Sequence, residues 1–190
     1  FQNMMPFDLE QRKKYPIGYM RLRNWLLSKS QLRSMENADL VIFISEFAKG
    51  VILDVSKKGI KKNIVIPHGV SEDFIHTASK TKLKSLYEKP YILYPSIIDV
   101  YKSQKEVIQA ISILRDKKID VPQLLMVGEI YGAYGREVQD MIKGAKLSNE
   151  IKLIGPVPYK DMPSLYQNAE FVIFASQSEN CPNILLESMA

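Results

Sequence analysis

The sequence predicts an α/β protein built from doubly wound parallel sheets, and three observations carry that prediction. Short runs such as DLVIFI (39–44), YILYPS (91–96) and EFVIFAS (170–176) are almost continuously apolar rather than alternating, as strands buried on both faces require. Helical patterns lie between these runs, so strands and helices take turns along the chain. A polar stretch, SEDFIHTASKTKLKSLYEKP, breaks the rhythm, which restarts after Pro90. The chain therefore reads as the end of one domain (1–75), a linker (76–89) and a second domain (90–190), two incomplete lobes.

Residues 17–37 predict an amphipathic helix with Leu22, Trp25, Leu26, Leu32 and Met35 on one stripe. Its Arg21, Arg23, Lys29 and Arg33 make the same segment compatible with a membrane surface, while packing onto the first sheet would use the same stripe. Asp39–Ile44 is the first strand, and Ser45 suits the N-cap of a helix from Glu46 to Lys57. NIVIPHGV (63–70) is the second strand, ended by Pro67 and Gly69. In the second domain, strand 91–96 is followed by a helix over 103–118 with Val107, Ile108, Ile111 and Leu114 at helical spacing. Strand 123–129 precedes a helix from Gly135 to Ala145, and strand 151–155 precedes a short helix over 161–169. Strand 170–176 then leads to a last helix starting near Pro182.

Composition narrows the function classes. The chain is 46% hydrophobic and 25% charged, an ordinary globular balance. No apolar run approaches the roughly 18 residues of a membrane span, and FQNMMPFDLEQRKK is not ordered like a signal peptide. One cysteine, Cys181, rules out an internal disulfide framework, so a cytoplasmic setting is expected. Two distant histidines, His68 and His76, supply no third ligand, so no zinc site is expected. Residues 1–90 carry 16 Lys and Arg against 9 Asp and Glu, net +7, whereas residues 91–190 are net −2. The basic half suits an anionic lipid or substrate, or simply a solvated face. It has no interleaved aromatic platform, so no nucleic-acid partner is expected. The chain lacks an initiating Met, and no cap follows Ala190, so part of a longer protein is expected.

The most informative stretch is SQSENCPNILLESMA (176–190). Ser176 stands at the carboxyl end of a strand, where open parallel sheets bind ligands. Pro182 suits a first helical position, and the free N–H groups there favour an anion such as phosphate. Glu179 lies in the loop before the helix and Glu187 five residues into it, roughly 7–8 Å along the axis. That step resembles the distance from a diphosphate to a ribose, but the pair reads equally well as a dipole-complementing acid plus a solvated helical glutamate.

ENCPNILLE matches the E-x7-E pattern of retaining glycosyltransferases of the GT-B fold. SMENADLVIFISEFAKGVI and NIVIPHGV are similar to the segment closing the N-terminal domain of family-four members. YILYPSIIDVYKSQKEVIQAI resembles the family's first C-domain strand, phosphate loop and helix, and LLMVGE, IKLIGPVPYKDMPSLYQNAE and FVIFASQSEN follow in the family's order. The resemblance spans roughly residues 36–190 and implies Rossmann-like lobes of GT-B type. It implies sugar transfer from a nucleotide-diphospho-sugar to an acceptor hydroxyl, with retention and without a metal or other cofactor, in glycan or cell-surface polysaccharide biosynthesis. The acceptor would be a carbohydrate or lipid-linked molecule, with peripheral contact at the inner face of the membrane through the basic half.

Residue by residue, the resemblance gives Glu179 to the donor sugar, Glu187 to the ribose and Lys102, eight residues before Ala110, to the diphosphate. Backbone N–H groups around Cys181–Asn183 would bind the sugar or diphosphate, with Asn180 and Pro182 completing that donor-side segment. Ser176 and Gly128 would line the donor, and Gly155–Val157 the base. One position departs from the family pattern: Ile97 stands where a polar group, often Arg, is usual, and Lys105 is the neighbouring candidate to replace it. That departure motivates a rival reading as a non-catalytic nucleotide-sugar-binding module; a GT-B sugar epimerase is the second rival. A flavodoxin-like signalling domain would need an acidic cluster after strand 91–96, where only Asp99 stands.

Overall fold

The computed structural model describes residues 1–76, 90–130 and 132–190; most of the linker expected at 76–89 lies outside them. The chain forms two compact units, Phe1–Gly69 with Gln177–Pro182, and Val70–Ser176 with Asn183–Ala190.

In the first unit, α1 (Leu9–Lys14) and α2 (Tyr19–Asn37) precede a βαβ element of β1 (Val41–Phe43), α3 (Glu46–Val55) and β2 (Asn63–Val65). The two strands pair in parallel, Val41 opposite Asn63 and Phe43 opposite Val65. Asp8 caps α1 by accepting from the Gln11 amide at 3.0 Å, and Ser45 caps α3 by accepting from Ala48 at 3.0 Å. The core gathers Met4, Met35, Val41, Phe43, Ala48 and Ile52. Contrary to the reading of 39–44 as a strand buried throughout, Ile42 and its neighbour Ile64 stand exposed. Only the face carrying Val41 and Phe43 is packed among the described residues. The stripe on α2 divides in the same way. Met35 and Leu32 join this core, whereas Leu22, Trp25 and Leu26 remain at the surface.

The second unit opens with α4 (Glu72–His76) and continues β3 (Tyr91–Pro95), α5 (Gln104–Asp116), β4 (Gln123–Val127), α6 (Gly132–Gly144) and β5 (Ile151–Gly155). It then runs through α7 (Met162–Gln167), β6 (Phe171–Val172) and α8 (Asn183–Met189). The strands form one parallel sheet in the order β5-β4-β3-β6. All five residues of β3 are buried because it is central and covered on both sides. Ile92 and Tyr94 pack with Ile108, Ile111, Val138 and Ile142 of α5 and α6, while Tyr91 and Leu93 pack with Leu165 of α7. Successive strand side chains point to opposite faces, so a sheet with two cores needs an unbroken apolar run, and that is what the sequence shows. The doubly wound class is therefore present, although β6 pairs through only two residues and 173–176 run on as extended chain.

Candidate functional site

The sheet order places the switch point between β3, which leads through α5 to β4 on one side, and β6, which joins from the other. Ligands of open α/β sheets bind outside the carboxyl ends of the strands at this point. Two loops meet there. The first runs from Ser96 to Ser103, passing through a tight 3-10 turn at Val100–Lys102, which Asp99 caps by accepting from the Val100 amide at 2.7 Å. The second is the extended run from Ile173 to Ser176.

Lys102 sits at the tip of the first loop with only 6% of its surface exposed, its ammonium 4.9 Å from the centre of the Tyr101 ring. Ser176 reaches the same loop, its hydroxyl donating to the Tyr101 carbonyl at 3.5 Å. Below them the Tyr94 hydroxyl donates to the Lys102 carbonyl, and burial holds its pKa well above the usual phenol value. Ser103 turns the chain into α5 with φ 58°, a left-handed conformation costing a non-glycine residue about 1–3 kcal/mol. Gln104, fully buried, donates to the Ser96 hydroxyl at 2.9 Å and the Ile97 carbonyl at 2.8 Å. Its side-chain carbonyl is buried without a hydrogen-bond partner among the described residues.

Gly128, at the end of β4, forms the floor of this loop. Its φ is +152°, and a Cβ there would lie 2.5 Å from the Ser96 carbonyl carbon and 2.9 Å from the Ile97 nitrogen. Its amide donates to Gly155 at 2.9 Å. Val157 packs into the α7 side of the core, beside Leu165 and Val127. Lys105 is directed elsewhere. It forms an ion pair with Glu137 and lies 5.0 Å over the Tyr134 ring, with both partners on α6. Ile97 is 37% exposed and offers only its backbone carbonyl to Gln104.

Glu187, on α8, is held by two tyrosines that the sequence reading did not single out. Tyr159 donates to one carboxylate oxygen at 2.9 Å and Tyr166 to the other at 3.1 Å. Burial, followed by the negative charge of Glu187, pushes the Tyr166 hydroxyl pKa far upward. Tyr159 is raised by desolvation and then by its bond to Glu187. Both phenols therefore remain proton donors. Tyr159 reaches Glu187 from the 3-10 turn Tyr159–Asp161 and Tyr166 from α7, so no sequence periodicity marked the pair.

Glu179, Asn180, Cys181 and Pro182 group with the first unit, where hydrogen bonds hold the segment. The Ser45 hydroxyl donates to the Asn180 side-chain carbonyl, and the Asn180 amide donates to the backbone of Phe1 at 3.3 Å and Gln2 at 3.2 Å. Ser178 donates to Asp8 at 2.7 Å, and Gln177 accepts from Gln11 at 3.3 Å and from Lys14. Asn180 thus spends its side chain on the fold and leaves its backbone as what it can offer a ligand. Cys181 is a half-buried free thiol, and α8 starts at Asn183, one residue after the proline placed at its first position. His68 carries a buried Nε2 without a partner among the described residues. Among the described residues no helix is long and apolar enough to cross a membrane, and no group of three metal-ligating side chains gathers.

A parallel sheet in the order β5-β4-β3-β6, with α5 and α6 packed on one face and α7 on the other, defines a doubly wound α/β domain. The chain belongs to the family described as Glycosyl transferases group 1, whose profile matches residues 75–190. The fold is that of GT-B glycosyltransferases. It matches a sucrose-phosphate synthase from Thermosynechococcus elongatus with a TM-score of 0.77 at 19% identity, over 96% of this chain and 46% of that one. A glycosyltransferase from Rickettsia africae matches with a TM-score of 0.68 at 27% identity, over 92% of this chain and 46% of the other. HepE from Anabaena, solved in complex with UDP and glucose, matches at 0.70 and 20% identity, over 85% and 46%. The chain thus spans about half the length of these relatives. No curated protein matches it.

Proposed function

We propose that the protein is a retaining glycosyltransferase that moves a sugar from a nucleotide-diphospho-sugar to the hydroxyl of a glycan or lipid-linked acceptor. The observation that carries the reading is the buried Lys102 on the switch-point loop of a chain in this family. In the transfer the bond from the sugar carbon to the diphosphate oxygen breaks and a bond to the acceptor oxygen forms. The acceptor proton ends on the released nucleoside diphosphate. The negative charge developing on that leaving group is met by Lys102 and by backbone N–H groups at Cys181–Asn183, an arrangement that needs no metal. Glu187 accepts from the ribose hydroxyls and Glu179 from the donor sugar, with Gly128, Val157 and Ser176 lining the nucleotide. The relative solved with UDP and glucose supports a nucleotide-sugar donor.

The test is binding of UDP, GDP, ADP and CDP to the protein and to Glu187→Ala. One nucleotide should bind, and losing hydrogen bonds to a charged group should weaken it roughly 10- to 100-fold. Unchanged affinity in the variant would overturn the ribose assignment. A second reading, a nucleotide-sugar-binding module without turnover, is favoured by Ile97 in the phosphate loop; donor binding without any sugar transfer or hydrolysis would select it. We also place the protein in the cytoplasm at the inner membrane face, because exposed Leu22, Trp25 and Leu26 on α2 stand among Arg21, Arg23 and Lys29. Co-sedimentation with anionic but not neutral vesicles is the expected result.

A further inference from the structure

An ionised carboxylate offers about four acceptor positions, two on each oxygen. At Glu187 each carboxylate oxygen accepts from one tyrosine, so each keeps a further acceptor position. That remainder matches two neighbouring hydroxyl donors on one ring. A free glutamate would have to give up side-chain rotamer freedom to present it. Here the fixing is done in advance. Tyr166 packs against the core cluster of Tyr91, Leu93 and Leu165, and the buried Phe74 of α4 meets its ring at 5.7 Å and the Tyr159 ring at 5.3 Å. Three aromatic rings from three segments thus converge behind one carboxylate.

We propose that Tyr159 and Tyr166 are positioning residues that pre-set the Glu187 carboxylate to distinguish a ribose from a 2′-deoxyribose nucleotide. The inference rests on the ribose reading of Glu187 given above. Raised phenol pKa values support it, since both hydroxyls stay donors throughout the neutral range. Neither tyrosine touches the nucleotide in this scheme. Each acts through the orientation of the glutamate.

The experiment compares UDP, GDP, ADP and CDP with their 2′-deoxy counterparts for the protein, Tyr159→Phe, Tyr166→Phe, the double variant, Glu187→Gln and the triple variant. The protein should prefer the ribonucleotide about tenfold or more. The double phenylalanine variant should lose most of that preference while its affinity for the deoxynucleotide changes less than about twofold, because packing is preserved and only orientation is lost. In the Glu187→Gln background the same two substitutions should change nothing further. A preference that survives in the double variant, or that falls equally for both sugars, overturns the positioning role. Tyr159→Phe, at an exposed ring, keeps this measurable if Tyr166→Phe unfolds the protein. If Glu187→Gln itself keeps the full preference, or no nucleotide binds, the ribose reading fails and the inference fails with it.

Discussion

Replacing Gly128 by alanine tests the floor of the switch-point loop. The new methyl would enter backbone, the Ser96 carbonyl group and the Ile97 amide, which no rotamer change can clear. Two costs add. Holding a non-glycine residue at φ +152° costs about 1–3 kcal/mol, and overpacking against fixed backbone about 1–3 kcal/mol more, so about 2–6 kcal/mol in all. Against a total stability of about 5–15 kcal/mol for a typical domain, the urea midpoint should fall sharply. Gly144→Ala is the matched control. Nothing lies within 4 Å of its added carbon, and its place at the end of α6 predicts a neutral to slightly stabilising change. The loop that must shift also carries Lys102, so nucleotide affinity should drop for Gly128→Ala well below its unfolding range of urea. A Gly128→Ala protein within about 0.5 kcal/mol of the parent would refute the collision argument.

Other outcomes follow from the same geometry. Gln104→Leu removes donors to Ser96 and Ile97 and should cost about 1–3 kcal/mol while loosening the loop from Ser96 to Ser103, read by urea unfolding together with nucleotide affinity. Asp8→Ala loses the cap of α1 and the acceptor for Ser178, a loss of about 1–2 kcal/mol that Asp8→Asn should largely restore. Alkaline stability should fall from about pH 10 upward. Burial raises Tyr94, Tyr134 (to about 12) and Tyr166, so the unfolded chain loses those protons first and the folded state is penalised as pH climbs. Tyr134→Phe should make that decline shallower in a pH series of denaturation midpoints.

The fold was legible where one physical constraint dominates. β3 and β4 are buried on both faces, and such strands have almost no freedom but to be apolar runs. β1 misled because only one of its faces is packed, so an apolar run there carries the alternating burial of a half-covered strand. The helix at Leu9–Lys14 escaped notice, although Asp8 followed three residues later by Gln11 is an N-cap signal. Ser176 was singled out by its place at a strand end, and Lys102 only by its match to the family pattern. Asn180's attachment to Phe1 and Gln2, and the tyrosines around Glu187, join residues far apart in sequence, where periodicity says nothing.

The two-residue strand β6 also decides when the binding loops come together. β3 pairs with β4 roughly 30 residues later but must wait roughly 80 residues for β6, a closure costing about 0.8 kcal/mol more in chain entropy. As the polypeptide leaves the ribosome, one edge of its central strand therefore stays open until Phe171 and Val172 emerge. In the finished protein that last and shortest seam should be the first to fray, with amide exchange fastest at Ile173 and slowest at Leu93 and Leu125. A ligand that bound both Ser176 and the Lys102 loop would hold that seam closed, and its occupancy and the order of the edge would be one equilibrium.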